Sequence, residues 1–128
     1  LLFTFHFLPF TIHCLLIDSI SMQTSIEHIE PIVKEVARDL GLQRVILFGS
    51  LARGTQSERS DIDLIVVRET NERFVERPTE ILMKLYEKLR GWAIDVLVYT
   101  PEEYERMLAH GNFFLTRAVR EGRIVYES

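Results

Sequence analysis

RVILFGS (Arg44–Ser50) and, ten residues further on, DIDLIVV (Asp61–Val67) are the two stretches from which the fold of this chain can be read. RVILF is a short apolar run that reads as a buried strand, and it stops abruptly at Gly49-Ser50. Leu51 to Gly54 has room for one helical turn before the polar loop Thr55–Ser60. DIDLIVV is a second strand, continuously apolar from Leu64 onward and therefore expected to be covered on both faces there.

Helical signals flank this pair. Upstream, Ile26, Ile29, Val33, Val36, Ala37 and Leu40 recur at helical spacing, with Ser25 as a cap, Gly41 as a stop and Pro31 marking a later start or a kink. Downstream, the charged loop Arg68–Arg77 leads into a helix from Pro78 to Arg90, with Ile81, Leu82, Leu85, Tyr86 and Leu89 on its apolar side. AIDVLVY (Ala93–Tyr99) is a third strand. Thr100-Pro101-Glu102-Glu103 is a capping box with proline at the first helical position, and that helix should stop near His110-Gly111. Asn112 caps a last helix through Arg120, ended by Gly122, before the apolar run Ile124–Tyr126, a candidate fourth strand. Helices alternating with so few strands imply an α+β domain, a small mixed sheet covered by helices.

Composition narrows the function. The 128 residues carry a net charge of −4, so a nucleic-acid binder working through a basic face is disfavoured. The one cysteine, Cys14, excludes an internal disulfide and a multi-cysteine zinc site and gives no sign of an oxidising compartment, which leaves the cytoplasm as the default. The apolar segment Leu1–Ile17 is broken by His6, Pro9 and His13 and falls short of the about 20 residues a membrane helix needs. It lacks the basic start of a secretory signal. Since Met22 stands where ordinary sequence begins, residues 1–21 are read as lying outside the native domain, which then spans residues 22–128. A membrane-associating or partner-binding segment is the alternative.

The chemistry lies in carboxylates placed where strands usually carry apolar side chains. Asp61 and Asp63, two apart on one strand, leave it on the same face, roughly 6–7 Å apart. Asp95 interrupts the third strand between Ile94 and Val96. Converging carboxylates repel one another unless a cation lies between them, and oxygen-only ligands with substrate phosphates suit Mg²⁺. Singly, Asp61 reads as a turn or cap residue and Asp95 as an edge-strand surface residue; Gly49-Ser50 shifts that balance. Glycine allows backbone to approach a phosphate, the following turn offers N–H groups, Ser50 adds a hydroxyl, and Arg53 could reach an anion. The stretch is not a P-loop, because the lysine ending is missing.

Gly49-Ser50, ten residues, Asp61-Ile62-Asp63 and a later strand aspartate together resemble the signature of the DNA polymerase beta-like nucleotidyltransferase superfamily. GSLARGTQSERSDIDL resembles its minimal nucleotidyltransferase branch, and the likeness runs from about Ser25 to Tyr126. It implies the polymerase beta-like fold. It also implies that Asp61 and Asp63 hold two Mg²⁺ ions bridging nucleotide phosphates, and that Asp95 completes the metal site and helps deprotonate the attacking hydroxyl. Gly49 and Ser50, helped by Arg53, would hold the β- and γ-phosphates while AMP passes from ATP to an acceptor. Leu51 departs from the polar residue many relatives carry, which puts one phosphate or acceptor contact in doubt. In relatives of this size the partner is a HEPN-domain toxin that receives AMP on a tyrosine, so an antitoxin role is expected. A binding module that neutralises its partner by contact, and a small-molecule adenylyltransferase, are the alternatives. The oligomeric state is left open, and no membrane partner is expected.

The remaining notable residues take plainer readings. His28 and His110 have no clustered ligands, Lys84, Lys88 and Arg90 form a solvated face, and Trp92 and Tyr86 belong to the core or its edge. Phe113, Phe114, Leu115, Ala118 and Val119 pack on the sheet or, alternatively, offer a partner surface.

Overall fold

The alternating side chains of the strands face two separate helical layers, and this sorting builds the domain. The computed structural model describes residues 26–54 and 61–128. Helix α1 covers residues 26–39, followed by β1 (Arg44–Phe48), α2 (Gly49–Arg53), β2 (Ile62–Val67), α3 (Thr79–Lys88), β3 (Ile94–Tyr99), α4 (Pro101–Ala109), α5 (Phe113–Glu121) and β4 (Arg123–Glu127). The Ser25 cap, the loop Thr55–Ser60 and the division at residue 22 lie outside the described residues.

The sheet has the order β3-β2-β1-β4. β1 runs antiparallel to both β2 and β4, whereas β2 and β3 are parallel, joined by α3 as the crossover. The sheet is therefore mixed, and the candidate fourth strand pairs with β1. Val45 and Leu47, Ile62, Leu64 and Val66, and Ile94, Val96 and Val98 point to one face. There they meet Ile29, Val33, Val36 and Ala37 of α1 and Ile81, Leu85 and Leu89 of the α3 segment. Ile46, Ile65, Val67 and Tyr99 point the other way, onto Tyr104 of α4 and Leu115 and Ala118 of α5. Leu64 to Val67 are all buried, as expected of a strand covered on both sides.

Local chemistry sets the element ends. The Thr100 hydroxyl accepts from the Glu103 N–H at 3.2 Å while the Glu103 carboxylate accepts from the Thr100 N–H at 3.2 Å, completing the capping box. Glu103 also takes both guanidinium nitrogens of Arg77, at 2.8 and 3.1 Å, and this pair fastens the 68–78 loop to α4. The Arg77 hydrogen bonds hold the Glu103 carboxyl below its ordinary range. Asn112 Oδ1 accepts from the Leu115 N–H and caps α5.

Several expectations need correction. α1 continues without a break through Pro31, so no later start occurs there; the buried Ile29, Val33 and Val36 bind both sides of the proline to one sheet face. α2 starts at Gly49 rather than Leu51, and β2 at Ile62, leaving Asp61 just outside the strand. Tyr86 is exposed, with its hydroxyl donating to the Ile94 carbonyl at 3.4 Å, while Trp92 does pack on the core. Phe113 and Phe114 are exposed, unlike Leu115 and Ala118 of the same helix. Among the described residues no helix is long and apolar enough to cross a membrane.

Gly122 earns its place by close packing rather than by an unusual backbone. Its φ is −82°, but a Cβ there would collide with the Ala118 carbonyl oxygen and lie 2.8 Å from the Leu47 carbonyl oxygen. Both obstacles are backbone and cannot swing aside. Gly122→Ala is expected to lower stability by about 2–3 kcal/mol, read as a reduced midpoint of urea unfolding with an unchanged slope.

Candidate active site

The antiparallel register of β1 and β2 sets Phe48 opposite Asp63, so the chain leaving β1 turns directly over this carboxylate. Phe48 is fully extended (φ −134°, ψ −172°), and Gly49 then takes φ +77° to start α2. That left-handed conformation suits glycine. A side chain at Gly49 would also have no room, because a built Cβ falls inside contact distance of Asp63 Oδ2 and 3.3 Å from its Cγ. The Gly49 backbone and the Asp63 carboxylate thus lie against each other. Ser50 follows, half-buried, and α2 closes when Gly54 at φ +71° returns its N–H to the Ser50 carbonyl.

The parallel register of β2 and β3 places Asp95 directly beside Asp63. Both belong to the face that carries α4 and α5, but Asp95 is exposed, so those helices do not cover it. Asp61 lies just before β2 and is exposed too; the neighbouring Ile62 N–H reaches over to the Ala93 carbonyl at 2.8 Å. The carboxylates feel one another. Burial, then the charges of Asp95 and Asp61, push the Asp63 carboxyl above its ordinary range, and Arg53 opposes them.

Arg53, at the end of α2, is tied to α5. Its Nη1 lies 3.5 Å from Glu121 Oε2, and Arg117 Nε lies 3.3 Å from the same carboxylate. A cavity of about 170 Å³ opens between the two helices, lined by Phe48, Gly49, Arg53, Phe114, Arg117, Ala118 and Glu121. Phe114 meets Phe48 edge-on, with ring centroids 5.6 Å apart. All six residues expected from the sequence therefore lie around the turn from β1 into α2 and the neighbouring starts of β2 and β3. Arg117, Glu121 and Phe114 were not anticipated here: their distance along the chain, 68 residues between Arg53 and Glu121, gives no local signal.

Among the described residues, no three His, Cys, Asp or Glu side chains are gathered into a ready coordination shell. The donor set nonetheless suits a hard divalent cation. It is oxygen-only, its members repel one another at Asp63, and the two outer carboxylates are exposed side chains that can turn onto an ion.

Comparison with known proteins identifies the family. The family model "Nucleotidyltransferase domain" matches residues 29–107, from α1 into α4. A Methanocaldococcus jannaschii protein named "Putative protein adenylyltransferase MJ0604" is 31% identical over 86 residues, covering 66% of this chain and 79% of the relative. Among solved structures, a toxin-antitoxin crystallised with AMP-PNP superposes with a TM-score of 0.55 at 26% identity, over 77% of this chain and 73% of that one. A structure described as "a putative nucleotidyltransferase from Sulfolobus solfataricus" shares the fold, with a TM-score of 0.56 at 24% identity over 86% and 87% of the two chains. With its mixed sheet, its strand-borne aspartates and a family match over most of the described residues, the chain belongs to the nucleotidyltransferase domain family.

Proposed function

We propose that this nucleotidyltransferase moves AMP from ATP to the hydroxyl of a protein acceptor, a tyrosine of a HEPN-type toxin, and so acts as an antitoxin. The observation that carries the chemistry is Asp63 lying against the Gly49 backbone with Asp95 beside it in register and the charge of Asp61 acting on it. The choice of a protein acceptor rests on the 31% identical relative named as a protein adenylyltransferase, and the antitoxin role on the toxin-antitoxin with AMP-PNP.

In this reading Gly49 and Ser50 hold the β- and γ-phosphates, with Arg53 beside them. Bare backbone at Gly49 lets the phosphate chain come close, and the Ser50 hydroxyl donates to it. Asp61, Asp63 and Asp95 would hold two Mg²⁺ ions, and the chemistry these would supply when bound is neutralisation of the phosphate and leaving-group charge. Asp95, exposed on the edge strand β3, helps deprotonate the attacking hydroxyl, its carboxylate accepting the proton. The acceptor oxygen forms its bond to the α-phosphorus as the bond to the bridging oxygen breaks, and pyrophosphate leaves carrying the electron pair. Most of the rate gain comes from positioning and charge neutralisation.

The test is incubation with α-labelled ATP, Mg²⁺ and the product of the neighbouring gene. Label on a tyrosine of that partner is the expected result. Tight partner binding without label would instead favour neutralisation by contact, and label on small hydroxylated molecules alone would move the acceptor away from protein.

A further inference from the structure

We infer that Glu121 and the terminal phosphate of a nucleoside triphosphate compete for Arg53 and Arg117, which makes Arg117 an additional phosphate-binding residue and Glu121 an internal stand-in for the phosphate. The inference rests on the nucleotidyl-transfer reading above and extends it to α5, beyond the residues matched by the family model.

Position carries the argument. Asp95, Asp63 and Gly49 follow one another across the sheet from β3 to the end of β1, and Gly49 also lines the cavity that Arg53 and Arg117 line. A phosphate chain whose α-phosphorus lies by the aspartates and whose β-phosphate crosses the Gly49-Ser50 turn has its far end at the mouth of the cavity that these two guanidinium groups line. Glu121 is the anion they now hold, at 3.5 Å and 3.3 Å. Those pairs are long and partly exposed, so each is weak in water. A phosphate carries more charge and offers the oxygen geometry that a guanidinium fork fits best, so it displaces the carboxylate. Glu121 holds the two arginines at the cavity wall and yields when a stronger anion arrives.

The competing explanation is a plain staple, with Arg53–Glu121 fastening α2 to α5 and Arg117–Glu121 an ordinary helix-surface pair. The two accounts predict opposite signs for one substitution. If Glu121 competes with phosphate, Glu121→Gln tightens triphosphate binding; if it is a staple, the same change loosens Arg53 and weakens binding. Arg117 is half-exposed, so changing it leaves the core alone.

Titration calorimetry on the full chain decides, with Mg²⁺-ATP and inorganic tripolyphosphate as the two probes. Glu121→Gln is expected to tighten both probes about threefold to tenfold, and Arg117→Gln to weaken both about tenfold. Arg120→Gln removes the same charge from an exposed position of α5 outside the cavity and is expected to change binding less than about twofold. Weaker or unaltered binding by Glu121→Gln overturns the proposal. So does an Arg120→Gln effect equal to that of Arg117→Gln, since a general field would then explain both. If the unaltered protein binds ATP but these contrasts fail, only the competition is lost. If it binds neither probe, the nucleotidyl-transfer reading falls and takes the competition with it.

Discussion

Replacing Asp63 with asparagine is expected to lower AMP transfer by on the order of a thousandfold while leaving the protein folded. Asp63 is the central one of the three carboxylates, beside Asp95 in register and half-buried beneath Gly49. Asparagine keeps its shape and its fit under the turn but removes the charge that would balance a divalent cation. The sign of the stability change separates chemistry from structure. An ionised Asp63 is costly in the fold, because burial and the charges of Asp95 and Asp61 both disfavour it. Asp63→Asn should therefore unfold at the same temperature as the unaltered protein or higher when no divalent ion is present. Millimolar Mg²⁺ should raise the melting temperature of the unaltered protein and not that of the variant. The measurements are label transfer from α-labelled ATP and thermal unfolding with and without Mg²⁺. Undiminished transfer by the variant would remove Asp63 from the reaction. A variant that still neutralised the partner would shift the protein toward action by contact.

The elements that carry the chemistry were readable because each obeys a local rule. β1 is bounded as its apolar run predicts, and the α4 cap is the reciprocal pair that Thr100 and Glu103 spell out. The strand aspartates stood out because they occupy strand positions that usually carry apolar side chains, and the register then put Asp63 next to Asp95. What could not be read was set by tertiary packing. Pro31 signals a helix boundary in isolation, yet the sheet face claims residues on both sides of it. Phe113 and Phe114 look like core and are exposed, since α5 turns Leu115 and Ala118 inward. Gly122 ends α5 as its sequence position implies, but the close approach of the Ala118 and Leu47 carbonyls that also requires glycine there has no local signal. Arg53 was visible beside the motif, but its partner Glu121 comes from the last helix, and only the folded chain places it there.

Gly49→Ala is the second change with a large expected effect, because one methyl group meets two independent obstacles. The backbone at φ +77° is a conformation that costs an L side chain about 1–2 kcal/mol. The added Cβ would also press on the Asp63 carboxylate, which must shift. If Asp63 gives way, the backbone strain alone remains and stability falls by about 1–2 kcal/mol, while the carboxylate leaves its register position beside Asp95. If the turn gives way instead, Ser50 and Arg53 move with it. Either response separates the Gly49-Ser50 turn from the aspartates, and transfer should fall about a hundredfold or more even where the protein remains folded. Comparison with Gly41→Ala isolates the cause. Gly41 has a similar φ of +64°, but a Cβ there meets nothing within 4 Å, so the strain is matched without the collision. Gly41→Ala should lose similar stability in urea unfolding and keep near-normal label transfer. Equal losses of transfer in the two variants would mean that destabilisation alone explains the effect and that the fit of Asp63 under Gly49 has no part in the chemistry.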